Sequence, residues 1–255
     1  MTRVRRRAIR PQKPLASYLK KTFGYGSFNG QYWFVGIEQR LRGNRRQVQA
    51  KFKERLKVWD KRGRKELEDL RSYHEAIQEN ICDIKSNTWR SLIRLMIHLE
   101  KREPTKENIL EFQRSRLGAR SKNGDGDHCL VDLLPLPCNS GNEQDWPYRK
   151  HFQKRRHYIN KHAQERAELL RTRLKESTVR PRLVLFYSKN KSFLPHWETI
   201  VGGKFSGSLS SKKPLIKKSG NTLFVVIAHP ADRRRRLKEE HAWIADEYSR
   251  IRSSS

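Results

Sequence analysis

Three side chains combine reactive chemistry with a suitable local setting: Glu38, Asp132 and His229. Glu38 closes the apolar run QYWFVGIE, Asp132 interrupts CLVDLL, and His229 follows TLFVVIA. A carboxylate leaving a buried run can stabilise a developing cation or orient an attacking water. An imidazole can donate to an oxygen on which negative charge grows. A carboxylate inside a run can accept hydrogen bonds from a bound group. Polar and basic residues follow the same runs: Gln39, Arg40 and Arg42 after the first, and Ser188-Lys189-Asn190 after LVLFY. Four consecutive arginines, Arg233, Arg234, Arg235 and Arg236, come just beyond His229.

The runs themselves read as strands. Gln31–Ile37, Cys129–Leu134, Leu183–Tyr187 and Thr222–Ala228 are β-branched or aromatic, four to eight residues long, and bounded by Gly or Pro. Between them lie helical patterns. Val48, Phe52, Leu56 and Trp59, then Leu67, Leu70, Tyr73 and Ile77, recur at helical spacing across residues 45–79, with a break near Arg62-Gly63-Arg64. Ser86 and Asn87 are plausible caps for a helix reaching Lys101, and Thr105–Arg116, 148–177 and 237–250 give further helices. Pro11 and Pro14 lead us to expect an irregular basic arm over residues 1–22, followed by one domain over 23–255. A small hairpin is expected within 204–218. Apolar strands alternating with long helices predict an α/β fold: a central, mostly parallel four-stranded sheet flanked by helices in three layers. In such sheets ligands bind beyond the carboxyl ends of the strands, where Glu38 and His229 fall, with Asp132 inside its strand.

Charge narrows the partner. The chain of 255 residues has 57 Lys and Arg against 27 Asp and Glu, a formal net charge of +30. Residues 1–65 carry net +17, 66–148 net −4, 149–191 net +11 and 204–238 net +9. Basic blocks around a near-neutral middle predict a polyanion-facing surface, and a nucleic acid is the expected partner. No run approaches the ~20 apolar residues of a membrane span. The basic opening lacks the apolar segment of a secretory signal, so a cytoplasmic protein is expected. Three Cys without a C-x-x-C pair argue against a disulfide scaffold and a four-Cys iron–sulfur centre.

These residues resemble the uracil-DNA glycosylase superfamily. Gly36-Ile37-Glu38-Gln39 is similar to its first motif, of Gly-x-(Asp/Asn)-Pro type, straight after the first core strand. His229-Pro230-Ala231 is similar to its last, of His-Pro-Ser type, after the final strand. Asp132, in Val131-Asp132-Leu133-Leu134, falls where the family has a base-reading Asn, and WRSLIRL (89–95) resembles the helix between its first motifs. The resemblance covers roughly residues 30–245, by element order more than identity. It implies a glycosylase-like three-layer fold, a monomer without cofactor or metal, and a duplex DNA partner carrying a modified base. It implies catalysis by Glu38 and His229 and base recognition by Asp132, Gly36, Ile37 and Gln39. Arg40, Arg42, Lys189, Arg233, Arg234, Arg235 and Arg236 would then bind the DNA backbone. The chain departs from the pattern at Glu38, Gln39, Asp132 and Ala231, which argues against an ordinary uracil-specific member.

The chemistry also follows from the residues. Cleaving an N-glycosidic bond builds positive charge on the sugar, suited to Glu38, and negative charge on the base, suited to His229. The base must first leave the stack, which suits a pocket beside a basic surface. An ionised Asp132 only accepts hydrogen bonds, so it suits the exocyclic amine of cytosine, which uracil lacks. Removing ordinary cytosine would destroy the cell's own genome, so the expected substrate is a modified cytosine. Superfamily members acting on modified phage cytosines, including glucosylated hydroxymethylcytosine, serve in antiviral defence; uracil repair is the second reading. Glu38 pairing with a neighbouring Arg, His229 capping strand-end backbone groups, and Asp132 pairing with an Arg or capping a loop are the structural alternatives. For the arginine run from Arg233 to Arg236, gripping phosphates and pushing a side chain into the vacated stack both stay open. So do two other classes: a metal-dependent nuclease using Asp125, Asp127 and Asp132, and a DNA-binding module without catalysis. Tyr73, His74, Phe28 and Trp146 are the candidates for stacking on a flipped base.

Overall fold

The computed structural model describes residues 13–81, 84, 86–121, 126–139, 142–211, 213–230 and 237–253. In chain order these form α1 (Lys13–Lys21), β1 (Gly24–Gly26), β2 (Tyr32–Glu38), α2 (Arg45–Lys61), β3 (Leu67–Glu68), α3 (Leu70–Ala76), α4 (Asn87–Leu99) and α5 (Lys106–Ser115). Then follow β4 (His128–Leu134), α6 (Arg155–Glu176), β5 (Leu183–Tyr187), α7 (Leu194–Val201), β6 (Leu215–Ser219), β7 (Thr222–Ile227) and α8 (Leu237–Ser253).

The four expected strands form the centre of the sheet in the order β4-β2-β5-β7, all parallel. The sheet is wider than four strands and mixed. Three short edge strands extend it to seven, in the order β3-β1-β4-β2-β5-β7-β6. β1 runs antiparallel to β4, and β6 antiparallel to β7. The hairpin expected within 204–218 is mostly β6 turning at Gly220 into β7; inside that range, among the described residues, Ser206 bridges Ile216. Edge strands of two to five residues carry too little pattern to be read before their neighbours are known.

Side chains alternate cleanly across the parallel strands. Trp33, Val35, Cys129, Val131, Leu133, Val184, Phe186, Phe224 and Val226 enter one core with α1, α2, α6 and α7. Phe34, Leu130, Leu183, Leu185, Leu223, Val225 and Ile227 enter the other with α4, α5 and α8. This is a three-layer α/β arrangement. Among the described residues no helix is long and apolar enough to cross a membrane. Cys129 and Cys138 are both buried.

The expected irregular arm is helical in its second half. Pro14 stands in the first turn of α1, where the missing N–H has no helical partner to lose. The apolar face Leu15, Tyr18 and Leu19 is buried, Tyr18 edge-on to Phe52 and Trp59 of α2. Residues 1–12 lie outside the described residues.

Helix starts follow their caps. The Asn44 side chain accepts from Gln47 N, and Gln47 Oε1 accepts from Asn44 N, a reciprocal box that starts α2 soon after β2. Ser86, as expected, accepts from Trp89 N at the head of α4. α6 is capped from a distance: the two carboxylate oxygens of Glu143 accept from Arg155 N (2.8 Å) and Arg156 N (2.9 Å).

Arg166 on α6 is 1% exposed. Its guanidinium donates to the carbonyls of Leu133 (2.9 Å), Asp132 (3.1 Å), Leu19 (3.3 Å) and Lys20 (3.4 Å), and lies 4.0 Å over the Phe23 ring. Burial pulls its pKa down to about 10, so it stays charged at neutral pH. One side chain thereby ties α6 to β4 and to the end of α1. Arg166→Ala leaves these buried carbonyls without their donor and is expected to lower unfolding stability by about 3 kcal/mol. Urea denaturation followed by tryptophan fluorescence measures this.

Candidate active site at the carboxyl ends of the parallel strands

Parallel register sets the site. β2 and β4 align Gly36 with Asp132 and Glu38 with Leu134, while β5 and β7 align Tyr187 with Ile227, two residues before His229. Gly36, Asp132 and Tyr187 share strand parity with Phe34, Leu130 and Leu185, so they face the α4/α5/α8 layer. A Cβ at Gly36 would stand 2.4 Å from Asp132 Oδ1 and 2.6 Å from the Tyr187 hydroxyl oxygen. The bare backbone therefore forms a floor on which a carboxyl and a phenol converge. Among the described residues neither the Asp132 carboxyl nor the Tyr187 hydroxyl makes a hydrogen bond, and both residues are partly exposed. The exposed His229 meets the Tyr187 ring edge to face, centroids 5.9 Å apart.

Glu38 pairs with Arg155, Oε1 to Nη2 at 2.6 Å, each side chain 13% exposed. The expected structural alternative, pairing with an Arg, is thus present. It uses one oxygen: among the described residues, Glu38 Oε2 and Arg155 Nε are buried with no hydrogen-bond partner. Burial raises the Glu38 pKa, while Arg155 opposes the rise. The same Arg155 has its backbone N–H on Glu143, so the capping of α6 also aims the guanidinium at Glu38.

Burial lifts Asp132 to about 7, with the charge of Glu38 adding to the rise and Arg166 opposing it. The premise that Asp132 is an acceptor alone therefore needs correction. Near neutral pH a large share of the carboxyl is protonated, and that form both donates and accepts. Burial also raises the Tyr187 phenol, with Asp132 adding to it, so Tyr187 stays protonated.

The remaining predicted residues divide. Ile37 packs on the opposite core, away from the Gly36 floor. Gln39 joins a polar chain: its Nε2 donates to Tyr25 OH (3.4 Å), and its Oε1 accepts from Arg55 Nη1 (2.6 Å). Arg55 pairs with Glu79, which also meets His74 Nδ1 at 2.9 Å. Arg40 and Arg42 are exposed on the loop leaving β2. Lys189 donates to the carbonyls of Ser211 and Lys213, so it fastens a loop. The four predicted phosphate ligands Arg233, Arg234, Arg235 and Arg236, together with Ala231, lie outside the described residues.

Trp146 is fully buried against Tyr158, and Phe28 packs on Phe23 and Trp33 near the start of β2, at the other end of the strand from Glu38. Tyr73 and His74 are buried beside Tyr25. Asp127 precedes β4 and Asp132 lies within it, five extended residues or about 17 Å apart, so they do not converge. Asp125 lies outside the described residues. Among the described residues no group of three His, Cys, Asp or Glu could hold a metal ion. Two surface hollows of about 560 and 520 Å³ are lined by neither Glu38, Asp132, Tyr187 nor His229. Sequence reading missed Tyr187 and Arg155. Tyr187 had one signal, as the sole polar side chain in LVLFY; Arg155 had none beyond its place in a basic block.

No protein family, curated protein or solved structure matches this chain.

Two outcomes are expected. Asp132 is protonated more readily in the folded chain than at its ordinary value of 3.8, so it favours folding fully below that value. That contribution fades as pH rises to about 7 and is then gone. Asp132→Asn cannot ionise and is expected to gain thermal stability relative to wild type between about pH 4 and about pH 8. Arg155→Gln removes the charge opposing burial at Glu38, so the Glu38 carboxyl should titrate at higher pH. Carboxyl-carbon NMR reads that shift.

Proposed function

We propose that this chain is a monofunctional DNA glycosylase, hydrolysing the N-glycosidic bond of a flipped-out modified pyrimidine and leaving an abasic site. The observation that carries the reading is the placement of Glu38, Asp132 and His229 towards the carboxyl ends of neighbouring parallel strands, with Asp132 beside Gly36 and His229 against Tyr187. The three-layer α/β fold and the net charge of +30 support it. The finer assignment to a glycosylase-like sandwich rests on the motif resemblance.

In this mechanism water attacks the sugar C1′ as the bond to the base nitrogen breaks, and the base departs with the electron pair. Glu38, whose charged form Arg155 favours against its burial, stabilises the sugar cation and takes the proton from water. His229 donates to the base oxygen on which charge accumulates. Exposed Arg40 and Arg42 on the loop after Glu38, with Arg149, Lys150, Lys154 and Arg156 around the head of α6, supply phosphate contacts on duplex DNA. These two basic segments carry the two members of the Glu38–Arg155 pair, so backbone contacts flank the candidate base. The substrate class is a modified cytosine, such as a glucosylated hydroxymethylcytosine of phage DNA, attacked by a monomer in the cytoplasm.

Uracil is the second reading, favoured by the raised pKa of Asp132. A neutral carboxyl can donate to a ring carbonyl and accept from a ring N–H, as the amide of Asn does. Selectivity for modified cytosine over uracil is therefore expected to rise as pH passes upward through about 7.

Mass spectrometry of bases released from phage, cellular and uracil-containing DNA tests the reading. Glu38→Gln and His229→Ala are each expected to slow release by about 100-fold or more. Unchanged release by both variants overturns the assignment. Asp132→Asn should move preference towards uracil and flatten its pH dependence.

A further inference from the structure

Across the central sheet, one face presents Asp132 from β4, Gly36 from β2 and Tyr187 from β5, with His229 following β7. Tyr187 thus occupies the strand position between the floor and the candidate acid. We propose that the Tyr187 hydroxyl is a second reader of the base edge, acting with Asp132 over Gly36, and determines which pyrimidine the site accepts. This rests on the glycosylase reading and extends it to a residue absent from the motif resemblance.

Three features carry the proposal. First, the hydroxyl is chemically surplus to the fold. The other residues of β5 are apolar and buried, and Tyr187 packs its ring as Phe would, yet its oxygen meets no partner among the described residues. Second, that oxygen and Asp132 Oδ1 crowd the same point, 2.6 and 2.4 Å from where a Gly36 Cβ would be. Any larger residue at position 36 would displace both. Third, the Tyr187 ring abuts His229, so the reader and the group proposed to face the leaving oxygen share one wall.

The pair offers hydrogen-bonding groups to neighbouring positions of one ring. A phenol donates and accepts at a single oxygen; the carboxyl accepts at both oxygens and donates at one when protonated. Burial and the nearby carboxyl keep the phenol protonated, so its donor persists at working pH. A pyrimidine with adjacent amine, ring nitrogen and carbonyl groups matches that pattern. An analogue missing one partner leaves a polar group unpaired, the condition under which polar sites discriminate strongly.

Wild type, Tyr187→Phe and Gly36→Ala should be compared on duplexes bearing modified cytosine or uracil, with melting temperatures measured alongside. Tyr187→Phe is expected to keep its melting temperature while losing about tenfold or more in kcat/KM on the preferred base. The ratio between the two bases should change by a similar factor. An equal loss on both bases, or no loss, overturns the proposal. Gly36→Ala should weaken both substrates by closing the floor. If wild type releases no base from any DNA, the glycosylase reading fails, and the slot is tested by itself. Ligand-observed NMR with free cytosine, 5-hydroxymethylcytosine and uracil then decides: binding by wild type that is weakened in Tyr187→Phe sustains the slot, and absence of binding, or equal binding by both proteins, overturns it.

Discussion

A single buried cation organises the molecule. Arg166 exchanges its hydration for four carbonyl oxygens and the face of Phe23, an exchange that succeeds only if those groups are already assembled around it. Two carbonyls belong to Leu133 and Asp132 at the end of β4, and two close α1. Fixing the Asp132 backbone from the α6 side leaves its carboxyl on the other face, over Gly36. The structural cation and the candidate reading group are thus two sides of one residue, and Arg166 also counters the rise that burial imposes on that carboxyl.

The site is a set of carboxyls treated differently by their neighbours. Burial opposes ionisation of both Glu38 and Asp132, and the charge of Glu38 further raises the cost of ionising Asp132. Glu38 has Arg155 at 2.6 Å; Asp132 has only the more distant influence of Arg166. The direct ion pair favours charge on Glu38, whereas Asp132 stays poised near neutrality. Environments that separate two carboxyls in this way give them separate tasks. In the proposed reaction one supports a cation and the other reads a base.

Much of the fold was legible because the four central strands are apolar on both faces and stand out from the charged remainder. Their parallel arrangement followed from the helices between them. The outlying strands β1, β3 and β6 escaped because runs of two to five residues carry little pattern of their own. α1 escaped because Pro14 was read as a breaker, although in a first turn proline costs the helix nothing. α7, a short helix ending at Gly202 with φ 69°, was likewise passed over.

Sequence alone singled out the candidate residues in and just after the strands. Glu38, Asp132 and His229 stand out because a charged or titratable side chain within or just after an apolar run is costly unless something uses or satisfies it. Tertiary structure alone decided their states and companions. The Arg155 that grips Glu38 lies 117 residues away, and Tyr187 meets Asp132 only because β2 lies between β4 and β5. Lys189, expected from its charge to contact phosphate, also fastens a loop through two carbonyls no pattern foretells. Residue type and local period are properties of neighbours in the chain. Proton affinity and hydrogen-bonding capacity are set by burial and by charges a few ångströms away, and only the folded chain brings those together.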